Sequence, residues 1–497
     1  MTRKLKQMNN SSLIKLSSLM IACSLFMTSS TAIGQSAKYE ANWASLDSRP
    51  LPAWFEDAKF GIFIHWGPYS VPAWAPKGMY SEWYQYWLNN NDKAVNEHHN
   101  TVYGKDFSYY NFGDLFKAEG YHPEDWAKLI AAAGAKYVVL TSKHHDGFPL
   151  WPNKEASKAF SRPWNSIETG PKKDLAGAFA AAIRKTDMKM GFYYSLFEWY
   201  NPLWLKDKKR FVDEHLFPQV KDLVTKYKPD ILWADGEWEM SDKDWKSEEL
   251  LAWLYNESPV KDQVIVNDRW GKDTRKKHGG YYTTEYAADF EADKPWEECR
   301  GMGFSFGFNK NEDLQDYNSA QTLILMLVNI VSSGGNLLLD IGPDANGKIP
   351  AIMQERLLQI GAWMKLNGEA IYGTRKWKNT FQWSAGKTDW KPKKEGTESG
   401  TYILKQTVDP DPGYAVKEAF FTSKGNDLYA ILPKLPVGRF LLKGLNAKGN
   451  TKVQLLGSDK VMKWRNVSAG LELTIPAFYT TELAEQPAYT IRISNVN

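Results

Sequence analysis

The sequence is poor in cysteine, because its 497 residues contain only Cys23 and Cys299. Cys23 lies in an N-terminal segment that we expect to be removed, so a single thiol would remain. One thiol forms no internal disulfide, and there is no cysteine cluster that would hold zinc. The sequence therefore predicts a protein that is stabilised by its hydrophobic core alone.

The sequence also lacks an apolar run long enough to cross a bilayer. Residues 16–27 are apolar, but a spanning helix needs roughly 20 such residues. Basic residues precede this run and small residues follow it at 32–34, which is typical of a cleaved leader. We therefore expect a signal peptide at residues 1–34, no transmembrane segment, and a secreted protein of a bacterial periplasm. The alternative is an outer-membrane lipoprotein, since residues 20–23 resemble a lipoprotein cleavage box that ends at Cys23.

Neither sign of charge dominates the chain. The 62 basic residues exceed the 58 acidic ones by four, and the four basic residues among the first 34 account for this surplus. A balanced surface argues against nucleic acid or an anionic membrane as the main partner. Aromatic residues, in contrast, are abundant, with 22 Trp, 25 Tyr and 23 Phe. Most will belong to the core, but aromatic faces also pack against the C–H faces of sugars, which favours a carbohydrate partner.

Strand-like and helix-like segments alternate over residues 39–374. The predicted strands are residues 60–66, 137–142, 189–195, 230–233, 264–267, 281–285 and 336–341. Repeated βα units with buried strands indicate a parallel sheet, and at this length a (β/α)8-like barrel is favoured. No glycine-rich phosphate loop follows the first strand, which argues against a dinucleotide fold.

Two other regions depart from this alternation. Residues 80–116 are predicted to be an irregular, aromatic insertion over the barrel mouth. Residues 377–497 contain short alternating segments separated by Gly, Pro and Asn, which predict a C-terminal antiparallel β-sandwich domain. This second domain has no clustered acids or histidines. We expect its role to be structural, with sugar binding as the alternative.

Residues 228–238, Lys-Pro-Asp-Ile-Leu-Trp-Ala-Asp-Gly-Glu-Trp, form an apolar strand that runs into the acids Asp235 and Glu237. Alone, they fit an ordinary Asp-Gly turn as well as an active site. Other predicted strands also end in polar or aromatic groups, at His65-Trp66, His144-His145-Asp146, Tyr193-Tyr194, Asn267-Asp268-Arg269 and Thr284-Glu285-Tyr286. Because the C-terminal ends of barrel strands face one cleft, we expect these groups to line a shared site.

One chemistry that fits this ring is a metal site built from histidine and aspartate. However, His144 and His145 are neighbours, and neighbours on an extended strand point to opposite faces. No His-x-His pair occurs in the sequence. A metal-dependent hydrolase is therefore the less favoured interpretation.

The other chemistry is glycoside cleavage, which needs a nucleophile or base together with an acid that protonates the leaving oxygen. Asp235, near Arg269 and several histidines, would remain ionised. Glu285 is the candidate for its protonated partner, provided that it is partly desolvated. This mechanism requires neither a metal nor an organic cofactor.

Specific motifs occur in order along the whole chain after the leader. They include Trp54-Phe55, Lys59-Phe60-Gly61-Ile62-Phe63-Ile64-His65-Trp66-Gly67, Glu82-Trp83-Tyr84, Lys143-His144-His145-Asp146-Gly147-Phe148, Trp233-Ala234-Asp235-Gly236, Asn267-Asp268-Arg269-Trp270-Gly271, Thr284-Glu285-Tyr286, Trp296-Glu297, Arg300-Gly301-Met302-Gly303, Ser305-Phe306-Gly307-Phe308-Asn309 and Gly334-Gly335-Asn336-Leu337-Leu338-Leu339. In this order they resemble the motifs of glycoside hydrolase family 29, the retaining α-L-fucosidases. Two positions differ from that pattern: Lys59 replaces the usual Arg, and Asp340 replaces the usual Asn.

The resemblance implies a catalytic barrel followed by a β sandwich, and release of terminal α-L-fucose by double displacement. It implies Asp235 as the nucleophile and Glu285 as the acid/base, with Glu297 as the alternative acid. Further residues are implied to hold fucose: His65, Glu82, Trp83, His144, His145, Tyr193, Trp233 and Arg269, with Phe306 against the C5 methyl group. The expected partner is a fucosylated oligosaccharide or glycoconjugate. A non-catalytic fucose-binding protein on a decayed barrel is the competing function, and the oligomeric state is not indicated.

Overall fold

The computed structural model describes residues 39–287, 290–391, 399–479 and 481–496. The predicted signal peptide and the predicted lipidation site at Cys23 lie outside these residues. Within them, no helix is both long and apolar enough to cross a membrane.

Eight parallel strands form a strongly curved sheet. They are β1 Phe60–Ile64, β2 Tyr137–Lys143, β3 Lys189–Ser195, β4 Ile231–Asp235, β5 Ile265–Val266, β6 Tyr282–Glu285, β7 Trp296–Gly301 and β8 Gly335–Ile341. Their order in the sheet is β5-β4-β3-β2-β1-β8-β7-β6. The two edge strands, β5 and β6, approach each other without a ladder, although the N–H of Gly280 donates to the carbonyl of Val266 (3.1 Å). The barrel prediction is confirmed, with one open seam.

The strands are apolar on both faces because both faces are covered. Phe63, Val139, Ile231 and Leu338 belong to a cluster inside the barrel. Ile62, Leu140, Phe192, Leu232 and Leu339 face the opposite way and pack under the helices. Buried parallel strands of this kind lose the polar–apolar alternation of a half-exposed sheet, which explains the continuous apolar runs in the sequence.

The seventh strand, Trp296–Gly301, was not among the strands predicted from the sequence. Its six residues are all buried even though three are charged. Each charge has a partner: Glu297 accepts from Tyr137 and Trp233, and the carboxylate of Glu298 pairs with Arg300 at 2.6 Å. The strand is polar in sequence because its charged side chains are satisfied, Glu297 by residues distant in the chain and Glu298 by Arg300 of the same strand.

Helices cover the outside of the sheet. The longer ones are Lys93–Val102, Pro123–Ala132, Leu175–Ile183, Phe217–Tyr227, Ser247–Asn256, Ala320–Ser332 and Ala351–Asn367, and the shorter ones are Trp43–Leu46, Ala53–Ala58, Tyr84–Asn89, Asn111–Leu115, Lys154–Phe160, Pro202–Lys206, Lys208–Phe211 and Ser399–Lys405. Side-chain caps mark several starts: Asp174 accepts from the N–H of Gly177 at 2.8 Å, and Ser319 from that of Thr322.

The helical segment over residues 211–227 contains a π-helical turn, Val212–Leu216, immediately before the helix that carries Pro218. The predicted irregular insertion needs correction. Residues 80–116 are not irregular, because they contain Ser81–Trp83, Tyr84–Asn89, Lys93–Val102 and Asn111–Leu115 as short helices. Their aromatic side chains obscured the helical period, since they pack against one another as well as against the barrel.

The C-terminal region forms two antiparallel sheets, as the sequence predicts. Its strands are β9 Arg375–Trp383, β10 Lys417–Lys424, β11 Asp427–Leu432, β12 Gly438–Lys443, β13 Val453–Leu455, β14 Lys463–Val467, β15 Gly470–Ile475 and β16 Tyr489–Ile493. The larger sheet has the order β13-β16-β11-β10-β9 and the smaller one β12-β15-β14. One apolar cluster joins them, with Ala430 and Ile491 from one sheet and Leu442 and Leu473 from the other.

Candidate active site

A cavity of about 210 Å³ opens at the C-terminal ends of the barrel strands. Ligand pockets are usually about 300–1,000 Å³, so this one suits a small ligand such as a single sugar ring. Sixteen residues line it: Phe63, His65, Tyr80, Glu82, Trp83, His144, His145, Tyr193, Trp233, Asp235, Trp238, Arg269, Arg275, Glu285, Cys299 and Phe306. Every residue to which the family resemblance gave a role is among them except Glu297. Of the other strand-end residues expected at a shared site, several do not line this cavity: Trp66, Asp146, Tyr194, Asn267, Asp268, Thr284 and Tyr286.

Asp235 is the last residue of β4 and lies at the centre of the polar contacts. The hydroxyl group of Tyr193 donates to its Oδ2 at 2.9 Å, and Nη1 of Arg269 donates to its Oδ1 at 2.7 Å. Burial alone would raise the pKa of Asp235, but the neighbouring charges, that of Arg269 above all, outweigh it and lower the pKa to about 2. The carboxylate is therefore ionised, positioned at both oxygens, and able to act as a nucleophile.

Glu285 ends β6 and faces Asp235 across Arg269. The Tyr80 hydroxyl donates to its Oε1 at 2.9 Å, and Nη2 of Arg269 lies 3.4 Å from its Oε2. The Glu285 side chain is 29 % exposed, compared with 11 % for Asp235. One guanidinium group thus bonds to both carboxyl groups, the more buried one and the one nearer solvent.

Glu297, the alternative acid, does not reach the cavity. It lies deeper in the barrel, where its carboxyl group accepts from the Tyr137 hydroxyl at 2.6 Å and from Nε1 of Trp233 at 2.8 Å. Burial raises the pKa of Glu297 to about 7. The hydrogen bond to Glu297 uses the indole N–H, the only donor of the Trp233 side chain, so this tryptophan presents a ring face to the cavity.

Three histidines line one wall of the cavity and all are held neutral. Burial lowers the pKa of His65 to about 3 and that of His145 to about 4, and it lowers the pKa of His144 well below its usual value. Neutral imidazoles can both donate and accept hydrogen bonds, as sugar hydroxyl groups require. The expectation that His144 and His145 point to opposite faces is wrong, because they follow the end of β2 and their ring centres lie 4.3 Å apart.

Glu82, Trp83 and Phe306 complete the predicted set. The carboxylate oxygen Oε2 of Glu82 accepts from the N–H of Gly307 at 2.8 Å and from the Ser305 hydroxyl at 3.0 Å. Burial raises the pKa of Glu82 to about 7 against these hydrogen bonds. Phe306 packs 5.0 Å from the ring of His65 and supplies an apolar wall.

Five cavity residues were not among the site residues predicted from the sequence: Phe63, Tyr80, Trp238, Arg275 and Cys299. Tyr80 lies two residues before Glu82, and its hydroxyl group donates to Glu285 at 2.9 Å. Trp238, 36 % exposed, lies at the rim with its ring nearly parallel to that of Trp83. Arg275 comes from the loop after β5, pairs with Glu237 and lies 3.9 Å from Asp235, and no sequence pattern marks it.

Asp340, which replaces the usual Asn, does not line the cavity but contacts His65, which does. Its Oδ1 lies 2.6 Å from Nδ1 of His65, and both residues are buried. Burial raises the pKa of Asp340 well above its usual value, and the neighbouring Glu82 raises it further. The substitution therefore changes the hydrogen-bond partner of one cavity histidine, His65.

A metal centre finds no support in this arrangement. Among the described residues, no group of three or more His, Cys, Asp or Glu side chains could hold a metal ion. The histidines instead contact one another, Asp340 and Ser195. The arrangement has the parts of an acid–base and nucleophilic site.

Two family models match the chain. The model "Alpha-L-fucosidase" covers residues 26–369, and "Alpha-L-fucosidase C-terminal domain" covers residues 414–494. Human tissue alpha-L-fucosidase is 41 % identical over 471 residues, which is 92 % of this chain and 92 % of that protein. An alpha-L-fucosidase from Dictyostelium discoideum is 45 % identical over 357 residues, covering 69 % of this chain and 76 % of its own.

Solved structures agree with the sequence comparison. The alpha-fucosidase of Thermotoga maritima in complex with a mechanism-based inhibitor has a TM-score of 0.74 and 34 % identity, over 92 % of this chain and 100 % of that one. Its complex with fucose has a TM-score of 0.73. These matches favour a catalytic glycoside hydrolase over a non-catalytic sugar-binding protein or a metal-dependent hydrolase. The barrel, the second antiparallel domain and the whole-chain matches together show that this chain belongs to the alpha-L-fucosidase family.

Proposed function

We propose that Asp235 is the nucleophile and Glu285 the acid/base of a retaining release of α-L-fucose. In the first step, Asp235 attacks the anomeric carbon while Glu285 gives a proton to the departing glycosidic oxygen. In the second step, Glu285 takes a proton from water, which attacks the same carbon and frees Asp235. The observation that carries this assignment is the single guanidinium of Arg269, which bonds to both carboxyl groups.

The environments of the two carboxyl groups support these different roles. Asp235 is nearly buried, has a lowered pKa and is held at both oxygens, as an attacking carboxylate should be. Glu285 is more exposed, so the leaving sugar and the incoming water can reach it. Retaining enzymes place such a pair about 5–5.5 Å apart, close enough to exclude a water molecule between nucleophile and sugar.

The side chains that line the cavity suit the hydroxyl groups of fucose and its methyl group at C5. We assign contacts with its hydroxyl groups to His65, Glu82, His144, His145, Tyr193 and Arg269, which all face the cavity. Trp83, Trp233 and Phe306 supply ring faces, and Phe306 is our candidate for the contact with the methyl group at C5. The expected substrate is a glycan or glycoconjugate with terminal α-L-fucose.

The decisive experiment replaces the nucleophile. Asp235→Gly should abolish hydrolysis of an aryl α-L-fucoside, and added azide should restore turnover with β-fucosyl azide as product. Azide then attacks in place of the missing carboxylate and the aryl group leaves. The matched control is Glu237→Gln, which changes the acid two residues further on and should keep measurable hydrolysis without azide. Near-normal activity of Asp235→Gly would contradict the assignment.

We also propose that the protein is exported to a bacterial periplasm. The support is the composition of residues 1–34, a basic start, an apolar run and small residues before a cleavage point. The full chain expressed in a bacterial host should be recovered from the periplasm with a mass that begins after Gly34. A lipid-modified chain beginning at Cys23 would instead identify the lipoprotein alternative.

A further inference from the structure

A buried contact joins His65 to Asp340 on the neighbouring strand. His65 follows β1, Asp340 lies in β8, and the two strands pair in register. The distance from Nδ1 of His65 to Oδ1 of Asp340 is 2.6 Å, and the residues are 5 % and 1 % exposed. The imidazole lines the sugar cavity, so the nitrogen on its other side, Nε2, is available to a ligand.

The carboxyl group of Asp340 has little else to stabilise a negative charge. Its Oδ2 is buried and has no hydrogen-bond partner among the described residues. A buried carboxylate with one unsatisfied oxygen is costly, and a shared proton removes that cost. The proton can sit on Asp340 and be donated to Nδ1, or sit on Nδ1 of an imidazolium. In both states Nε2 of His65 carries hydrogen.

We propose that His65 and Asp340 share one proton and thereby present an N–H group at Nε2 of His65 to an oxygen of the bound sugar. Asp340 is then a positioning residue that decides whether the histidine donates or accepts. When the pair loses its shared proton, Nδ1–H donates to the carboxylate and Nε2 becomes an acceptor. The inference rests on the proposed function, since it takes fucose to occupy this cavity.

The surrounding groups act on the shared proton in both directions. Burial lowers the pKa of His65 and raises that of Asp340, which places the proton on Asp340 between two uncharged groups. The groups that face the pair are Asp235 from β4, Tyr193 from β3, His144 and His145 after β2, Arg269 after β5, Glu82 and Tyr69 from the segments after β1. Asp235 and Glu82 favour protonation, while Arg269 and His145 disfavour it at His65.

An asparagine at position 340 would behave differently. Its amide is uncharged at every pH and can either accept from Nδ1–H or donate to Nδ1, so it imposes no fixed form on the ring. Asp340→Asn therefore removes the titrating proton while keeping the size of the side chain. We expect the inhibition constant of L-fucose in the native protein to rise about three- to tenfold when the pair deprotonates, the value of one neutral hydrogen bond.

The direct test reads the ring nitrogens. The full-length protein labelled with ¹⁵N-histidine, and the variants Asp340→Asn and His65→Gln, are examined by NMR without ligand between pH 5 and 9. The signal missing in His65→Gln belongs to His65. We expect its Nε2 to carry hydrogen in the native protein at neutral pH and to lose it at higher pH. An unprotonated Nε2 with a protonated Nδ1 throughout this range would overturn the proposal.

A binding experiment adds a functional readout. The ratio of the L-fucose inhibition constants of Asp340→Asn and the native protein should change with pH. Glu82 and the other titrating groups are present in both proteins, so their effects cancel in the ratio and the titration of the His65–Asp340 pair remains. A constant ratio would also overturn the proposal. Hydrolysis by the native protein and its loss in Asp235→Gly test the proposed function separately. The NMR result does not depend on turnover, so failure of the pair and failure of the function are distinguishable.

Discussion

Nη1 of Arg269 lies 2.7 Å from Oδ1 of Asp235, and its neighbour Nη2 faces Glu285. The planar fork of the guanidinium group can contact two carboxyl groups at once, whereas an ammonium group is a single point charge. Arg269 therefore sets the relative position of the two residues that we assign to catalysis.

Replacing this fork should impair the reaction more than replacing a nearby charge. We expect Arg269→Lys to lower kcat/KM roughly 30- to 4,000-fold, because breaking a buried, hydrogen-bonded charge pair costs about 2–5 kcal/mol. The control is Arg275→Lys, since Arg275 lies 3.9 Å from Asp235 and its side chain is 38 % exposed. Steady-state kinetics on an aryl α-L-fucoside measure both, and equal losses would contradict the bridging role.

The acid/base assignment predicts a dependence on the leaving group. Glu285→Ala should barely slow the first step, transfer of the fucosyl group to Asp235, when the leaving group of the substrate needs no proton. Such a substrate is 2,4-dinitrophenyl α-L-fucoside. The same variant should slow hydrolysis of an unactivated fucosyl disaccharide by roughly 10²- to 10⁴-fold, the usual contribution of general acid catalysis. With azide, Glu285→Ala should form the α-fucosyl azide.

The control for this prediction is Glu297→Gln. The amide oxygen of Gln can still accept from Nε1 of Trp233, its NH2 group can donate to the hydroxyl oxygen of Tyr137, and residue 297 does not line the cavity. We expect both substrates to slow by a similar factor in this variant. A strong leaving-group dependence in Glu297→Gln, with none in Glu285→Ala, would transfer the acid role to Glu297.

Much of the barrel is predictable because its strands are buried on both faces. Apolar runs mark β1, β2, β4 and β8, and a polar side chain that lines the cavity ends or directly follows three of them: His65 after β1, His144 after β2 and Asp235 at the end of β4. Strand β7 escapes this rule, since Glu297 accepts hydrogen bonds from Tyr137 and Trp233, which lie far away in sequence, and Glu298 pairs with Arg300 of the same strand. A pattern within the segment carries no information about the partners of Glu297.

The same limit applies to the site. Asp235 and Glu285 are recognisable because they end strands, and the motif resemblance adds roles to them. Arg275 and Trp238 reach the cavity from loops whose path depends on tertiary packing, so no periodicity marks them. The contact of Asp340 with His65 likewise depends on the pairing of β1 with β8, which are neighbours in the sheet but the first and last of its strands along the chain.

Trp238 should act on the sugar beyond fucose. It lies at the cavity rim and 36 % of it is exposed, with its ring 6.3 Å from that of Trp83 at 21°. We expect Trp238→Ala to raise KM for fucosyl oligosaccharides about 2- to 12-fold, the effect of losing ~0.5–1.5 kcal/mol of aromatic contact. KM for α-L-fucosyl fluoride should not change, because fluoride makes no ring contact. Tyr479→Ala, at an exposed position of the C-terminal domain, is the control for a general surface effect.

A buried charge cluster behind the histidine wall should govern stability in acid. Glu198 pairs with Lys143 and with Nε2 of His215, the latter at 2.8 Å, and all three are buried. Burial would raise the pKa of Glu198, but the charges of His215 and Lys143 and their hydrogen bonds lower it well below its usual value. A carboxyl group with a lowered pKa in the folded state stabilises that state above its unfolded pKa, about 4.3, and loses this contribution as pH falls.

Glu198→Gln should therefore be less stable than the native protein near pH 7 by roughly 3–5 kcal/mol, since it leaves the buried ammonium group of Lys143 without its carboxylate. The difference should shrink as pH falls below about 4. In the unmutated protein, Glu198 then takes up a proton in the unfolded chain while it is still ionised in the folded one, which favours unfolding. Urea unfolding followed by tryptophan fluorescence from pH 3 to 8 measures this. The matched control, Glu214→Gln, breaks an exposed pair with Arg210 on a helix and should unfold like the native protein at every pH. A stability difference for Glu198→Gln that stays constant down to pH 3 would show that packing, not the charge of Glu198, is responsible.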